Sequence, residues 1–392
     1  MKNLIYFHFL MVLVACSAPM REIKNDRFGK LKNEYQIKET GLKNFPLDSV
    51  TAIKPQYMQL LNVETDTPML SILNKHTNSI YLYNYATSEF IGSIAYEREG
   101  PNGILEVSGY YVKNMDSIYI FNRPLLEMDL ADSTGIVKQR IALREINSEW
   151  SKFYPQYNFC TACPIWMKEP YLILTGLHPF NSTDDWVGTF KYTAYLNMNT
   201  NEVSYCHLYP EEIFGDNVNW DDPVYTQVYS ALSSANELIH SFTNSHNLYI
   251  SPLLSDSSRT VYGGSNQAHA IKSIDWDASR GHTPRELISK HYISLDVYTS
   301  ILHDPWRHVY YRYMLQGVSN ASQRTSVNQK NIVVIVYDEN FNYLGESVIG
   351  NGKQYHWENS FVSEDGLNVE YNNSEDTDED FLNLKIFTIE KK

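Results

Sequence analysis

His303-Asp304-Pro305-Trp306-Arg307-His308 packs two imidazoles, a carboxylate, a guanidinium and an indole into six residues ahead of an apolar alternation. An arginine there can pair an anionic group and an indole can stack on a sugar or aromatic ring, which makes His303, Asp304, Trp306 and Arg307 candidate ligand-binding residues. The competing reading is a satisfied turn capped by Asp304 with Trp306 packed inside, favoured because no residue elsewhere fixes a reaction. His246 is a further candidate; with His240 and His269 it could converge on a central axis, although isolated histidines more often hydrogen-bond as structure. Cys160-Thr161-Ala162-Cys163 allows a redox dithiol, half of a metal site, or a structural disulfide. Its flanks, Tyr157-Asn158-Phe159 and Pro164-Ile165-Trp166, do not open a helix as a thioredoxin-type site requires. Zinc would need two more ligands; Cys206-His207 and His178 are available, but without a second Cys-x-x-Cys or regular histidine spacing. A disulfide between Cys160 and Cys163 is therefore expected, with no metal and no cofactor. The acidic run Glu375-Asp376-Thr377-Asp378-Glu379-Asp380 lacks the glycine and distant glutamate of a Ca²⁺ loop and reads as a solvated hairpin tip. Ser265 in Gly263-Gly264-Ser265-Asn266 does not meet the Gly-x-Ser-x-Gly pattern, so no catalytic residue is assigned.

The elements that must position these residues announce themselves by repetition. Asn78-Ser79-Ile80-Tyr81-Leu82-Tyr83-Asn84 returns as Asp116-Ser117-Ile118-Tyr119-Ile120-Phe121-Asn122, and looser copies follow at 170–174, 247–250, 308–312 and 365–371. A repeated unit of short alternating strands is the signature of a β-propeller, and the 30 Tyr and 7 Trp add a strand-favouring excess. The expectation is all-β: a six-bladed propeller of four-stranded antiparallel blades over residues 34–392. The last blade has inner strands at 357–363, 367–372 and 382–389 and lacks an outer one. Tyr35-Gln36-Ile37-Lys38-Glu39 alternates like a strand and is expected to close the ring there. Long interruptions at 150–164, 179–188, 210–223 and 275–291 read as inserted loops or short helices, where a repeat scaffold carries its function.

The first residues are an address. Lys2 is a positive n-region, 4–14 an apolar stretch too short to span a bilayer, and Leu13-Val14-Ala15-Cys16 a small-residue cleavage site. It resembles the lipobox of bacterial lipoproteins, which implies a signal peptide over 1–15, lipidation of Cys16 and a lipidated tether over 16–33. Ser17 resembles the residue after the lipid cysteine in lipoproteins sorted to an outer membrane, and no acidic surface-export run follows, so the periplasmic face is expected. The formal net charge of −14 disfavours nucleic acid or an anionic membrane surface as the main partner, and no basic block is read after the signal.

With Cys16, the six strand motifs and the loop Arg98-Glu99-Gly100-Pro101-Asn102-Gly103, the chain resembles the TolB-like six-bladed propeller lipoproteins of Bacteroidota. That resemblance implies a fold and a compartment and supplies no catalytic residues. The function expected is a non-catalytic binding or scaffold lipoprotein for a protein or glycan partner in the cell envelope. The alternative is a propeller hydrolase or lyase acting on carbohydrate or a lactone at an axial pocket.

Overall fold

The computed structural model describes residues 20–392 apart from 52–54, 64, 145–153, 180–185, 217, 277–280, 323 and 373–379. The signal segment, Cys16 and nearly all of the acidic run at 375–380 lie outside the described residues. After a short strand β1 (Glu22–Ile23) and the long β2 (Tyr35–Pro46), the chain builds one sheet at a time. The first contains β3 (Met58–Leu61), β4 (Met69–Asn74), β5 (Ser79–Asn84) and β6 (Phe90–Ala95); the second β7 (Val107–Asn114), β8 (Ser117–Asn122), β9 (Glu127–Ala131) and β10 (Val137–Ala142). The third contains β11 (Trp166–Lys168), β12 (Tyr171–Thr175), β13 (Lys191–Asn197) and β14 (Val203–Leu208). Two single-turn helices, α1 (Glu211–Phe214) and α2 (Pro223–Thr226), lead to the fourth sheet, β15 (Val228–Leu232), β16 (Glu237–Phe242), β17 (Asn247–Pro252) and β18 (Arg259–Tyr262). Beyond β19 (Ile271–Lys272) and α3 (Arg285–Ser294) come β20 (Val297–Asp304), β21 (Val309–Leu315), β22 (Asn331–Asp338), β23 (Tyr343–Asn351), β24 (Tyr355–Ser363), β25 (Gly366–Tyr371) and β26 (Phe381–Lys391).

Each repeated motif is a strand buried on both faces. In β5 the alternation sends Ile80 and Leu82 into one core with Val107 and Tyr110 of β7, and Tyr81 and Tyr83 into another with Phe45, Leu382 and Leu384. Such two-sided burial stacks sheets side by side, and the first strands β3 and β7, β15 and β20, β20 and β24, and β24 and β3 lie next to one another.

The six-bladed expectation is corrected by the sheet connectivity. Four four-stranded sheets form a four-bladed propeller-like arrangement, and the remaining strands make one eight-stranded sheet in the order β20-β21-β22-β23-β2-β26-β25-β24. The N-terminal strand does pair antiparallel with β26, from Tyr35↔Lys391 to Pro46↔Phe381. Its first residue, however, also pairs in parallel with Gly345 of β23, where Glu34 N donates to Leu344 O at 3.1 Å and Ile37 N to Ser347 Oγ at 3.0 Å. Glycine permits this approach, since a Cβ on Gly345 would collide with the Tyr35 carbonyl. The strand expected to finish one blade instead fuses two groups of strands.

The tether expected over 16–33 is also corrected from Arg21 onward. β1 pairs with β19 as Glu22↔Lys272 and Ile23↔Ile271, and Arg21 N donates to Ser273 Oγ at 2.8 Å. Asn25 Nδ2 donates to the Ser265 and Ala268 carbonyls at 2.8 Å, Gly29 N to Asn266 O at 2.8 Å, and Leu31 N to Asn266 Oδ1 at 2.8 Å. Buried backbone groups that find partners do not stay free, and this segment is a strap across the body.

Candidate functional site

The segment before β11 crosses the place where the first strands meet. Phe159 packs over Gly109 of β7, with its ring held edge-on to Phe121 at a centroid distance of 5.2 Å. The chain then reverses in a tight turn, Cys160 pairing with Cys163 and Cys163 N donating to Cys160 O at 3.0 Å. Thr161 at its tip is buried; its hydroxyl accepts from Met58 N of β3 at 2.9 Å and donates to Asn359 Oδ1 of β24 at 3.1 Å. Ala162 N reaches Glu358 O at 2.9 Å, and Ile165 N reaches the Tyr57 hydroxyl at 3.2 Å. The turn is thus a plug tied to strands from different sheets by its own backbone and hydroxyl.

The disulfide expected between Cys160 and Cys163 is not formed; both are free thiols, as is Cys206. Cys163 Sγ faces the Val228 carbonyl at 4.0 Å, whereas Cys160 packs into the cluster that contains Trp357 and Tyr313. Burial pushes the Cys160 thiol well up and Cys163 to about 11, so neither has the thiolate character of a redox nucleophile. Among the described residues no three His, Cys, Asp or Glu side chains are grouped to hold a metal ion, so the zinc alternative through Cys206, His207 and His178 finds no ligand set there.

Beside the plug lies a cluster that sequence reasoning missed. His356 of β24 pairs with Glu370 of β25, after which the register jumps to Ser360↔Val369, leaving Trp357, Glu358 and Asn359 outside the ladder. This bulge turns Glu358 and Asn359 back onto the imidazole. His356 Nε2 lies 3.1 Å from Glu358 Oε2 and Nδ1 lies 3.2 Å from Glu370 Oε2, while Asn359 Nδ2 donates to Glu370 and to the Pro55 carbonyl. Burial by itself would lower His356, but the hydrogen bonds and charges of Glu358 and Glu370 outweigh it and raise the imidazole to about 9. An imidazolium between two carboxylates carries one net negative charge. Glu370 is buried and its Oε1 has no hydrogen-bond partner among the described residues, whereas the Glu358 side chain is 47% exposed. The cluster can accept hydrogen bonds from hydroxyls or a cation; a histidine already protonated at neutral pH cannot act as a general base. The available signal was His356-x-Glu358 with period two on one strand, facing Glu370 across the hairpin.

The residues singled out from sequence fall at two separate ends of the fold. His246, in the β16–β17 turn, is buried; its Nδ1 lies 2.8 Å from the Tyr298 hydroxyl and Nε2 lies 3.3 Å from Ile23 O, and burial lowers it to about 4. Tyr298 is the second residue of β20, and Asp304 ends it. At about 3.3 Å per residue these ends are roughly 20 Å apart, so His246 does not converge with His303, Asp304, Trp306 and Arg307. The latter group is a turn. Asp304 Oδ1 accepts from Trp306 N and Arg307 N at 3.0 Å, and Tyr311 OH donates to Oδ2 at 3.1 Å. Arg307 pairs with Asp304 at 3.2 Å and donates to Glu364 O at 2.6 Å. His303 stacks on Tyr310 at 4.8 Å and lies 3.5 Å from Glu339, while Trp306 is 38% exposed instead of packed between sheets.

Behind His246 sits Arg312, which is fully buried and was read only as part of a strand. Its guanidinium donates to Ser241 Oγ at 3.0 Å and to the carbonyls of Gly263 at 2.6 Å, Ser245 at 2.9 Å, His246 at 3.3 Å and Phe242 at 3.4 Å, and stacks over Tyr298 at 4.0 Å. Burial lowers its pKa to about 10, which still leaves a cation. It joins the β16–β17 turn to β21.

The comparison with known proteins agrees with this all-β plan. A family model described as a domain of unknown function, DUF4221, matches residues 34–348. The chain belongs to the DUF4221 family. A crystal structure of a DUF4221 member from Bacteroides vulgatus superposes with a TM-score of 0.74 at 20% identity, covering 92% of this chain and 100% of that one. A Bacteroides fragilis protein described as exported follows at TM-score 0.52 and 10% identity, with 91% and 95% covered. A streptogramin B lyase aligns at TM-score 0.45 and 9% identity over 89% of this chain and 98% of that one. No curated protein matches the sequence. DUF4221 membership carries the fold; it does not extend to the TolB-like lipoprotein resemblance, and the lipid anchor is left to be argued from Cys16. Among the described residues no helix is long and apolar enough to cross a membrane.

Proposed function

We propose that this DUF4221 chain is a lipid-anchored, non-catalytic binding module of the cell envelope whose plugged mouth, around Glu358 and His356, receives a hydroxyl-rich ligand such as a glycan. The observation that carries the reading is the plug: Thr161 and its turn occupy the space where the first strands meet, tied to Met58 and Asn359. What remains accessible beside it is a carboxylate and an imidazolium held by mutual charge. The carboxylate can accept hydrogen bonds from hydroxyls, while the imidazolium, whose two N–H groups are already held by Glu358 and Glu370, keeps it charged and in place without transferring a proton. The outer membrane is the assigned membrane and its periplasmic face the assigned side, supported by Leu13-Val14-Ala15-Cys16 and Ser17.

The test is titration of the purified protein with a panel of envelope-type oligosaccharides by calorimetry, alongside aryl glycosides and γ-lactones as reporters of turnover. The expected result is saturable oligosaccharide binding, weakened about tenfold by Glu358→Gln through loss of one charged hydrogen-bond acceptor, with no turnover. Turnover abolished by Glu358→Gln or His356→Asn would establish the hydrolase or lyase alternative. Absence of binding across the panel would remove the glycan assignment.

A further inference from the structure

The strap over Arg21–Asn33 separates its two tasks by side. Its inner contacts are made by backbone, by Asn25 and by Asn33, whose Nδ2 donates to Glu346 O at 3.2 Å and whose Oδ1 accepts from Glu346 N at 2.9 Å. Between Met20 and Asn33 the sequence places Arg21, Lys24, Arg27, Lys30 and Lys32 against only Glu22 and Asp26, in a chain of net charge −14. Lys24, Arg27, Lys30 and Lys32 are all exposed. Among the described residues none of these four forms an ion pair with a carboxylate; Lys30 donates to its own Asp26 carbonyl at 2.9 Å, and Arg27 lies 5.5 Å from the Tyr262 ring centre. Arg21 alone is spent, on Asp216 and the α1 carbonyls. Amid these cations Phe28 is 48% exposed and Met20 55%.

We propose that the outer face of this strap docks on the anionic phospholipid headgroups of the membrane that holds the chain. Cations flanking an exposed aromatic ring make up an interfacial anchor, the charges drawn to the surface within a Debye length of about 10 Å and the ring entering the headgroup boundary. The chain geometry brings the two together. From Cys16 to Arg21 is five Cα steps, so a lipid on Cys16 holds the start of the strap within at most about 18 Å of the bilayer surface. The orientation rests on the anchor proposed above, whereas the charge complementarity does not.

The experiment uses Met20–Lys392, which contains every described element and no acyl chain, in flotation with phosphatidylethanolamine vesicles with and without phosphatidylglycerol. The expected result is binding to the phosphatidylglycerol vesicles that falls with added salt. Combined Lys24→Glu, Arg27→Glu and Lys30→Glu should weaken it at least about tenfold, with an unchanged circular dichroism spectrum. Phe28→Ala should weaken it without altering the salt dependence. Equal partition onto both vesicle types, charge-reversed protein that floats like the wild type, or no binding at all would overturn the proposal. Acylation of Cys16 is read separately, by lipid labelling, so failure of the strap and failure of the anchor give different results.

Discussion

Burial lowers His207, His240 and His246, whereas at His356 the neighbouring carboxylates outweigh burial and raise the imidazole. His207 and His246 are pushed down to about 4 by loss of solvent, and burial likewise lowers His240, beside His207, well below its ordinary value. These imidazoles are neutral when folded, whereas the unfolded chain takes protons near the ordinary value of 6.5. Stability is therefore intact above that pH and falls as pH drops from 6.5 towards 4. His356 has the reverse sign: its stabilising proton is fully held below 6.5 and lost as pH rises through about 9. Thermal unfolding followed across pH should show Tm declining on both flanks, and His356→Gln should flatten the alkaline flank alone. It should also cost on the order of 2 kcal/mol near neutrality, discounted for its partly solvated edge. An alkaline flank unchanged in that variant would remove the imidazolium assignment. Arg312 illustrates why sequence could not supply such roles. Within Val309–Leu315 it interrupts an apolar run, and the carbonyls that satisfy it belong to residues 242–263.

The plug is the element that chemistry-minded reading most misjudged. Cys160-Thr161-Ala162-Cys163 attracted attention for its sulfurs, but its connections run through the Thr161 hydroxyl and the Ala162 amide. Its partners at Met58 and Glu358 are remote in sequence, so no local pattern reports them. Gly109 is a close fit: an added Cβ would lie 2.9 Å from the Phe159 ring, itself confined by Phe121 and by Tyr157 at 5.7 Å. Gly109→Ala should lower stability by about 1–3 kcal/mol in urea unfolding, the usual cost of overpacking. Gly92→Ala, with nothing within 4 Å of the new methyl, serves as the control and should stay near neutral. Equal stability of the two variants would mean that the plug yields without resistance. The bulge at Trp357–Asn359 was equally hidden, because period two in the sequence predicts an unbroken ladder and only the register reveals the extra residues.

At the scale of the whole chain, the repeats reported strands faithfully and their grouping poorly. Ser79–Asn84 and Ser117–Asn122 are β5 and β8, in two adjoining sheets, because each alternation buries both faces. Whether strands end as separate blades or one sheet hangs on a single pairing, Tyr35 with Gly345, which no repeat encodes. The strap likewise read as a polar tether because its partners at Ser265, Asn266 and Ala268 lie far along the chain. That docking gives the Cys16 assignment a consequence. A body of net charge −14 has little general affinity for an anionic membrane, so the attachment proposed through Cys16 rests on acyl chains, each buried methylene adding about 0.8 kcal/mol. Cells fed a labelled palmitate analogue should therefore incorporate it into the wild-type chain and not into Cys16→Ala, and the variant should move from the membrane pellet to the soluble fraction. Label retained by Cys16→Ala, or an unlabelled wild-type protein in the soluble fraction, would dismiss the anchor; the strap would then have to hold the membrane by charge and Phe28 alone, which salt would reverse.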